Sequence, residues 1–344
     1  MFGRALSRGY SSISFMAPLV AGKMGIHQPR LQTLAQLIPP LTYDLHKGDC
    51  GRMAAIGGCE EYTGAPYFVA STSLRLGVDI AYVICEKQAA PTIKGYSPDL
   101  IVNPYLRLKE NKDTEDIEKT FGVLEKLHSV SLGSGMGNDE GIKESVVEII
   151  GRIKQHNVPM VLDADSLALV CKDPELVYGY ENVVLTPNAP EFKRLCKALE
   201  IEYNQDNVEC TRMVAEKLGN VTVVRKGKVD IITNGSKVFV CEEPGGLRRC
   251  GGQGDILSGA IATFLAWGFK YKQGAWKYSG GDQIDSKDVN MMAAYAACMV
   301  ARHASFLAYD ECGRATQSTS VLEQVDIAFD NKFEQVLKAL KPKK

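Results

Sequence analysis

The chain has 344 residues, with 40 Lys+Arg against 41 Asp+Glu and a formal net charge of -1. That balance excludes nucleic-acid binding carried by bulk charge, and 45% hydrophobic with 24% charged residues exclude a disordered or collagen-like chain. A chain this long buries a large core without disulfide staples, so its 10 cysteines, none in a CxxC pair or at zinc spacing, read mostly as small buried residues in a reducing compartment.

The first acidic residue is Asp44. Ahead of it stand Arg4, Arg8, Lys23 and Arg30 with Ser7, Ser11, Ser12 and Ser14, while Phe2, Leu6 and Ile13 share one helix face. Residues 1–24 therefore resemble an organelle transit peptide, which predicts mitochondrial delivery; Met16 or Met24 as a later start would give a cytoplasmic form. Residues 25–344 then read as one catalytic domain.

Arg52 to Gly57 reads as a short buried strand, and Pro66 to Leu76 as a helix with its proline in the first turn. Asp79 to Cys85 is the next strand. The charged run Lys109 to Lys119 reads as a solvated loop and helix start. Val130 to Gly133 is a strand running into the glycine-rich GSGMG, and Gly141 to His156 an amphipathic helix. Val158 to Asp163 and Val183 to Thr186 are strands, and Pro190 to Leu199 a helix. Three short strands follow, Val221 to Arg225, Val229 to Thr233 and Lys237 to Cys241; the turns at Gly227 and Asn234-Gly235 make them antiparallel. A strongly apolar helix, Ile256 to Trp267, and a final long helix, Val289 to Tyr309, close the chain. Arg302 and His303 interrupt the apolar stretch Met291 to Tyr309, and no uninterrupted apolar run reaches the ~20 residues that span a bilayer. Strand–helix alternation ending in antiparallel strands predicts an α/β fold: a mostly parallel central sheet with helices on both faces and an antiparallel edge.

Three places can carry chemistry. In RRCGGQGDILSG (248–259) three glycines precede Asp255 and an apolar helix. Glycines let backbone approach an anion, and a helix N-terminus presents free N–H groups to it. A carboxylate at that lip suits a general base; alternatively Asp255 is only the N-cap of the helix. The GxxxxGK[ST] phosphate loop is absent. GSGMG also lies between strand and helix, but the third glycine of a dinucleotide fingerprint is missing, with Asn138 or Glu140 in its place. Finally, Asp163 and Asp165 with Thr186 to Glu191 lie past strand ends, where open α/β sheets bind ligands. Taken alone, the two aspartates read equally as a helix cap and a solvated acid, and Lys226 to Asp230 as an ordinary hairpin turn.

In this order the motifs resemble the ribokinase-like superfamily, and within it are similar to the ATP-dependent NAD(P)H-hydrate dehydratases. The matching blocks are HKGDCGR (46–52), IGG (56–58), YTGAP (62–66), GSGMG (133–137), VLDADSL (161–167), LTPNAPEFKRL (185–195), VVRKGKVDII (223–232), RRCGGQGDILSG (248–259) and GRATQST (313–319). The resemblance implies that Asp255 deprotonates the C6 hydroxyl of a hydrated nicotinamide ring. That oxygen attacks the γ-phosphate of ATP; the phosphate ester then leaves, pushed by the ring-nitrogen lone pair, so NADH or NADPH is restored and ADP and phosphate are released. It implies hydrate binding by Gly137, Asn188, Ala189, Pro190, Glu191, Phe192, Lys193, Arg194 and Asp255. It implies ATP binding by Lys226, Gly227, Lys228, Val229 and Asp230, and by Gly245, Gly246, Leu247, Arg248, Arg249, Cys250, Gly251, Gly252, Gln253 and Gly254. Mg²⁺ is expected with the ATP, though no sequence pattern fixes its ligands. The partners implied are these small molecules, with no nucleic acid or membrane; self-association is left open.

Where bacterial relatives carry His-Gly and Ala-Gly-Asp near the last helix, this chain has His303-Ala304-Ser305 and then GRATQST. That resembles the eukaryotic, ATP-using branch and leaves His303 as a core or capping residue. The alternative activity is a small-molecule kinase of the same fold, acting on a vitamin precursor or sugar alcohol and using Asp255 in the same way.

Overall fold

The computed structural model describes residues 26–110, 115–204, 208–279 and 283–342; the leader expected at residues 1–24 lies outside them. The main-sheet strands are β1 (Ile26–His27), β2 (Arg52–Ile56), β3 (Ile80–Glu86), β4 (Ile101–Leu106), β5 (Ser129–Leu132), β6 (Met160–Leu162), β7 (Val183–Leu185), β8 (Thr222–Arg225), β9 (Asp230–Thr233) and β10 (Val238–Cys241). They form one 10-stranded sheet in the order β1-β10-β9-β8-β7-β6-β5-β2-β3-β4. β4 through β8 run parallel across the sheet, while β8, β9 and β10 pair antiparallel, as the sequence predicts.

The helices are α1 (Leu31–Ala35), α2 (Gly64–Leu76), α3 (Ala89–Tyr96), α4 (Glu115–Leu124), α5 (Glu140–Gln155), α6 (Asp165–Lys172), α7 (Ala189–Ala198), α8 (Val208–Lys217), α9 (Gln253–Lys272), α10 (Val289–Cys312), α11 (Ser318–Glu323) and α12 (Val325–Ala339). Successive strand side chains point to opposite faces, and the two cores obey that period. Met53, Ala55, Val83, Val161, Val184 and Val224 pack with α2, α9, α10 and α12. Ile56, Ile84, Val130, Leu162, Leu185 and Val223 pack with α5, α7 and α8. α9 is apolar all round and buried from Ile256 to Gly268, as a helix hydrophobic on every side must be.

One expectation is corrected. Val289 to Tyr309 is not the final helix, since α11 and α12 follow it. The helical stretch Val289–Ala315 is also long and apolar enough by length and composition to cross a bilayer, despite Arg302 and His303. In the fold its apolar residues pack into the core that α9 and the sheet share.

Candidate active site

The carboxyl ends of β5 to β8 converge on one cleft, and the loops that leave them carry the motifs. After β5 the chain makes its close pass at Gly133 (φ 115°), where a Cβ would lie 1.9 Å from the Asp163 carbonyl oxygen. Only glycine accepts that backbone and that contact. The same turn brings Gly137 N–H to the Asp165 carboxylate, which accepts it at 3.2 Å. Asp139 then caps α5, its carboxylate accepting from Gly141 and Ile142 N–H.

Asp163, directly after β6, is neither a cap nor a solvated acid. It is 3% exposed; its carboxylate accepts from Lys226 Nζ at 2.7 Å and from Ser258 Oγ at 2.7 Å. Burial pushes its pKa up, but Lys226, Ser258 and Thr186 outweigh that and hold it below the usual value. Lys226 is held above the usual lysine value for the matching reason: Asp163, with Glu191 and Asp255 beyond it, outweighs burial. The pair is thus ionic at neutral pH. It sits beneath the glycine loop, where a Cβ on Gly254 would meet Lys226 Nζ at 3.4 Å and Asp163 Oδ2 at 3.5 Å.

α9 starts at Gln253, with Gly252 (φ 95°) as its N-cap residue. Asp255 therefore sits in the first turn rather than at the cap, and the capping alternative is overturned. Burial raises its pKa to about 7; Asp163 and Asp165 also raise it, against the Ser134 hydroxyl and Lys226. Ser134 Oγ, buried in the GSGMG turn, meets no partner at normal hydrogen-bond geometry, so its influence on Asp255 does not offset the burial. A carboxyl poised near neutrality in a cleft is what a general base needs. The glycine loop is clamped from the far side by α11, whose Ser318 Oγ donates to Gly251 O; a Cβ on Gly252 would lie 2.7 Å from that hydroxyl.

Asn188 is the N-cap of α7. Its side chain accepts from Glu191 N–H at 3.0 Å while the Glu191 carboxylate accepts from Asn188 N–H at 2.8 Å, a complete capping box. Burial pushes Glu191 above the usual carboxylate value. Ala189, Pro190, Lys193 and Arg194 are exposed on the first turns of α7. Phe192 is fully buried, with the Arg225 guanidinium 4.5 Å over its ring, so its side chain holds the helix from the core side. Since the Asn188 side chain is occupied by the cap, Asn188→Ala is expected to cost about 1 kcal/mol of stability and to weaken hydrate binding more than ATP binding. Denaturant titration and calorimetry read the two effects separately.

A cavity of about 400 Å³ gathers Asn188, Lys226, Gly227, Asp230, Gly245, Arg249, Cys250, Gln253 and Gly254 of the expected residues. It also gathers Leu257, Ala301, Arg302, Ser305 and Val321, which sequence reasoning missed. The expected Val229 packs on Ile231, Val238 and Val240, Gly246 is packed against α10, and Leu247 is exposed. Lys228, Arg248, Gly251 and Gly252 do not line it, nor do Asp255 and the expected hydrate residues other than Asn188. Ser258 was legible in principle, lying three residues after Asp255 on one helix face; Arg302 and Ser318 carry no such local signal. His303 is neither core nor cap: its ring faces Glu243 at 3.4 Å and Asn331 at 3.3 Å. Among the described residues no group of three or more His, Cys, Asp or Glu is placed to hold a metal ion.

A parallel sheet with an antiparallel edge, two glycine loops and a buried carboxylate at the strand ends define a ribokinase-like α/β enzyme. A ribokinase-like superfamily protein from Enterococcus faecalis V583 shares the fold with a TM-score of 0.67 at 20% identity, over 88% of this chain and 95% of that one. A family model described as NAD(P)H-hydrate dehydratase matches residues 53–326, and the chain belongs to that family. It is 43% identical over 318 residues to the ATP-dependent (S)-NAD(P)H-hydrate dehydratase of Schizosaccharomyces pombe, covering 91% of this chain and 96% of the relative. It is 40% identical to the Homo sapiens protein of the same name, over 88% and 84% of the two chains. The ADP/ATP-dependent NAD(P)H-hydrate dehydratase of Bacillus subtilis, co-crystallised with ATP and Mg²⁺, has the same fold at a TM-score of 0.60 and 19% identity, over 87% and 97% of the chains.

Proposed function

We propose that this chain uses ATP to dehydrate the S epimer of hydrated NADH and NADPH, restoring the reduced dinucleotide and releasing ADP and phosphate. The observation that carries the reading is Asp255, a carboxyl raised to about 7 at the mouth of the glycine loop, beside the buried Asp163–Lys226 pair. Asp255 takes the proton of the C6 hydroxyl as that oxygen bonds to the γ-phosphorus and the bond to ADP breaks. The ring-nitrogen lone pair then expels phosphate from C6, and loss of a proton from C5 restores the ring double bond.

Lys226 and the N–H groups at the start of α9, where Gln253 and Gly254 line the cavity, stabilise charge spreading over the transferring group. Asn188 to Arg194 and Gly137 hold the hydrate. Mg²⁺ is expected to come with the ATP phosphates, because it keeps most of its waters and needs only one or two carboxylates from the protein. We further propose that residues 1–24 direct the protein to mitochondria; fusing them to a fluorescent reporter tests this, and a reporter that stays diffuse contradicts it.

The functional test is to incubate the protein with ATP, Mg²⁺ and chemically hydrated NADH while following dihydronicotinamide absorbance and phosphate. Absorbance and phosphate rise together if the reading holds. A stable phosphoester with no gain in absorbance would instead mark the kinase alternative. The pH dependence follows from Asp255. The base must be ionised, so kcat/KM is expected to rise with pH through about 7 and level off above it. A profile already flat from pH 5 upward contradicts the assignment.

A further inference from the structure

We propose that Arg302 is a positioning residue that holds the two ATP loops at their working separation; the inference rests on the assignment of residues 226–230 and 245–254 to ATP. Arg302 projects from α10 into the wall of the 400 Å³ cavity, between the β8–β9 turn and the segment that follows β10. Its Nε donates to the Glu243 carbonyl at 2.5 Å, fixing the start of that segment. Its two terminal nitrogens donate to the carbonyls of Gly227, at 3.4 Å, and Lys228, fixing the turn. Nη1 also lies 3.0 Å from Asp230 Oδ2, and Asp230 in turn accepts from Gly227 N–H at 3.1 Å. The Arg302 side chain is 15% exposed and that of Asp230 6%.

One planar fork with five donors therefore ties three backbone carbonyls and a carboxylate from both walls of the cavity. A lysine ammonium is a point charge and cannot span that set. The Glu243 carboxylate is anchored beyond it by Lys332 at 2.7 Å, so the segment is braced from α10 and α12 together. Loops already held in the bound arrangement avoid the entropy of ordering when the nucleotide arrives. That effect falls on ATP and not on the hydrate, whose assigned residues lie at the start of α7, in the turn after β5 and, with Asp255, in the first turn of α9, none of which Arg302 bonds.

Arg302→Lys and Arg302→Gln, each titrated calorimetrically with β,γ-methylene-ATP and Mg²⁺ and assayed for the KM of ATP and of hydrated NADH, test the proposal. Both variants are expected to bind the analogue about tenfold more weakly. KM for ATP rises with it, while KM for the hydrate and kcat at saturating ATP stay as in wild type. Arg302→Lys keeps a charge facing Asp230, so its melting temperature stays near wild type while its ATP affinity falls. Wild-type analogue affinity in Arg302→Lys, equal rises in the two KM values, or failure of Arg302→Lys to fold would each overturn a positioning role. Failure of the wild type to dehydrate its substrate would overturn the functional reading alone, because the analogue titration does not depend on turnover.

Discussion

Asp255→Asn is expected to lower kcat about 10³-fold while ATP still binds. Asparagine keeps the shape of the side chain in the first turn of α9 and leaves the backbone of residues 251–254 in place, so the phosphate cradle survives. What is lost is the group that accepts the hydroxyl proton. The stability of the variant separates lost chemistry from lost folding. The folded protein holds the Asp255 proton more tightly than the unfolded chain, because its pKa is raised to about 7. Ionisation therefore costs the fold stability as pH rises through that value. Asparagine cannot ionise, so at pH 8 the variant is expected to melt no lower than wild type. A variant that melts well below wild type would make its inactivity a folding defect, and one that turns over near the wild-type rate would remove Asp255 from the mechanism.

Lys226→Met is expected to abolish turnover and also to cost about 3–5 kcal/mol of stability. The reason lies in Asp163. Its side chain is 4% exposed and its strongest partner is the Lys226 ammonium at 2.7 Å, so removing the ammonium strands a buried carboxylate. Ser258 and Thr186, both neutral hydroxyls, cannot offset that desolvation. Adding Asp163→Asn to the same chain removes the stranded charge and is expected to recover much of the stability but none of the activity. Urea unfolding of the two single variants and the double variant gives the coupling directly. Additive losses would mean that the two groups do not act as a buried pair.

Much of this arrangement was legible in the sequence. The glycine loop, Asp255 and the two parallel–antiparallel regimes of the sheet follow from local residue patterns, and their observed boundaries differ by a few residues. What was not legible depends on tertiary neighbours. β4 carries Pro104 and is only partly buried, as an edge strand is, so it has neither the apolar run nor the clean alternation that marks an inner strand. α6 follows Ala164 at φ 49°, a backbone state that alanine seldom adopts, so the residues around Asp163-Ala164-Asp165 carry no clear sign of the helix that starts there. The partners of Asp163 lie 63 and 95 residues away, and Arg302 reaches loops 59 to 75 residues back along the chain. No spacing rule encodes such contacts; they exist only once the sheet has brought four strand ends together.

The central claim is that the hydroxyl oxygen itself is phosphorylated and then leaves as phosphate. Hydrating NADH in ¹⁸O-water places the label on the C6 oxygen, and turnover with unlabelled ATP in ordinary water shows where that oxygen goes. The label is expected in the released inorganic phosphate, one atom for each dihydronicotinamide restored. Unlabelled phosphate alongside restored NADH would mean that ATP hydrolysis and loss of water are separate events, and would contradict the role assigned to Asp255.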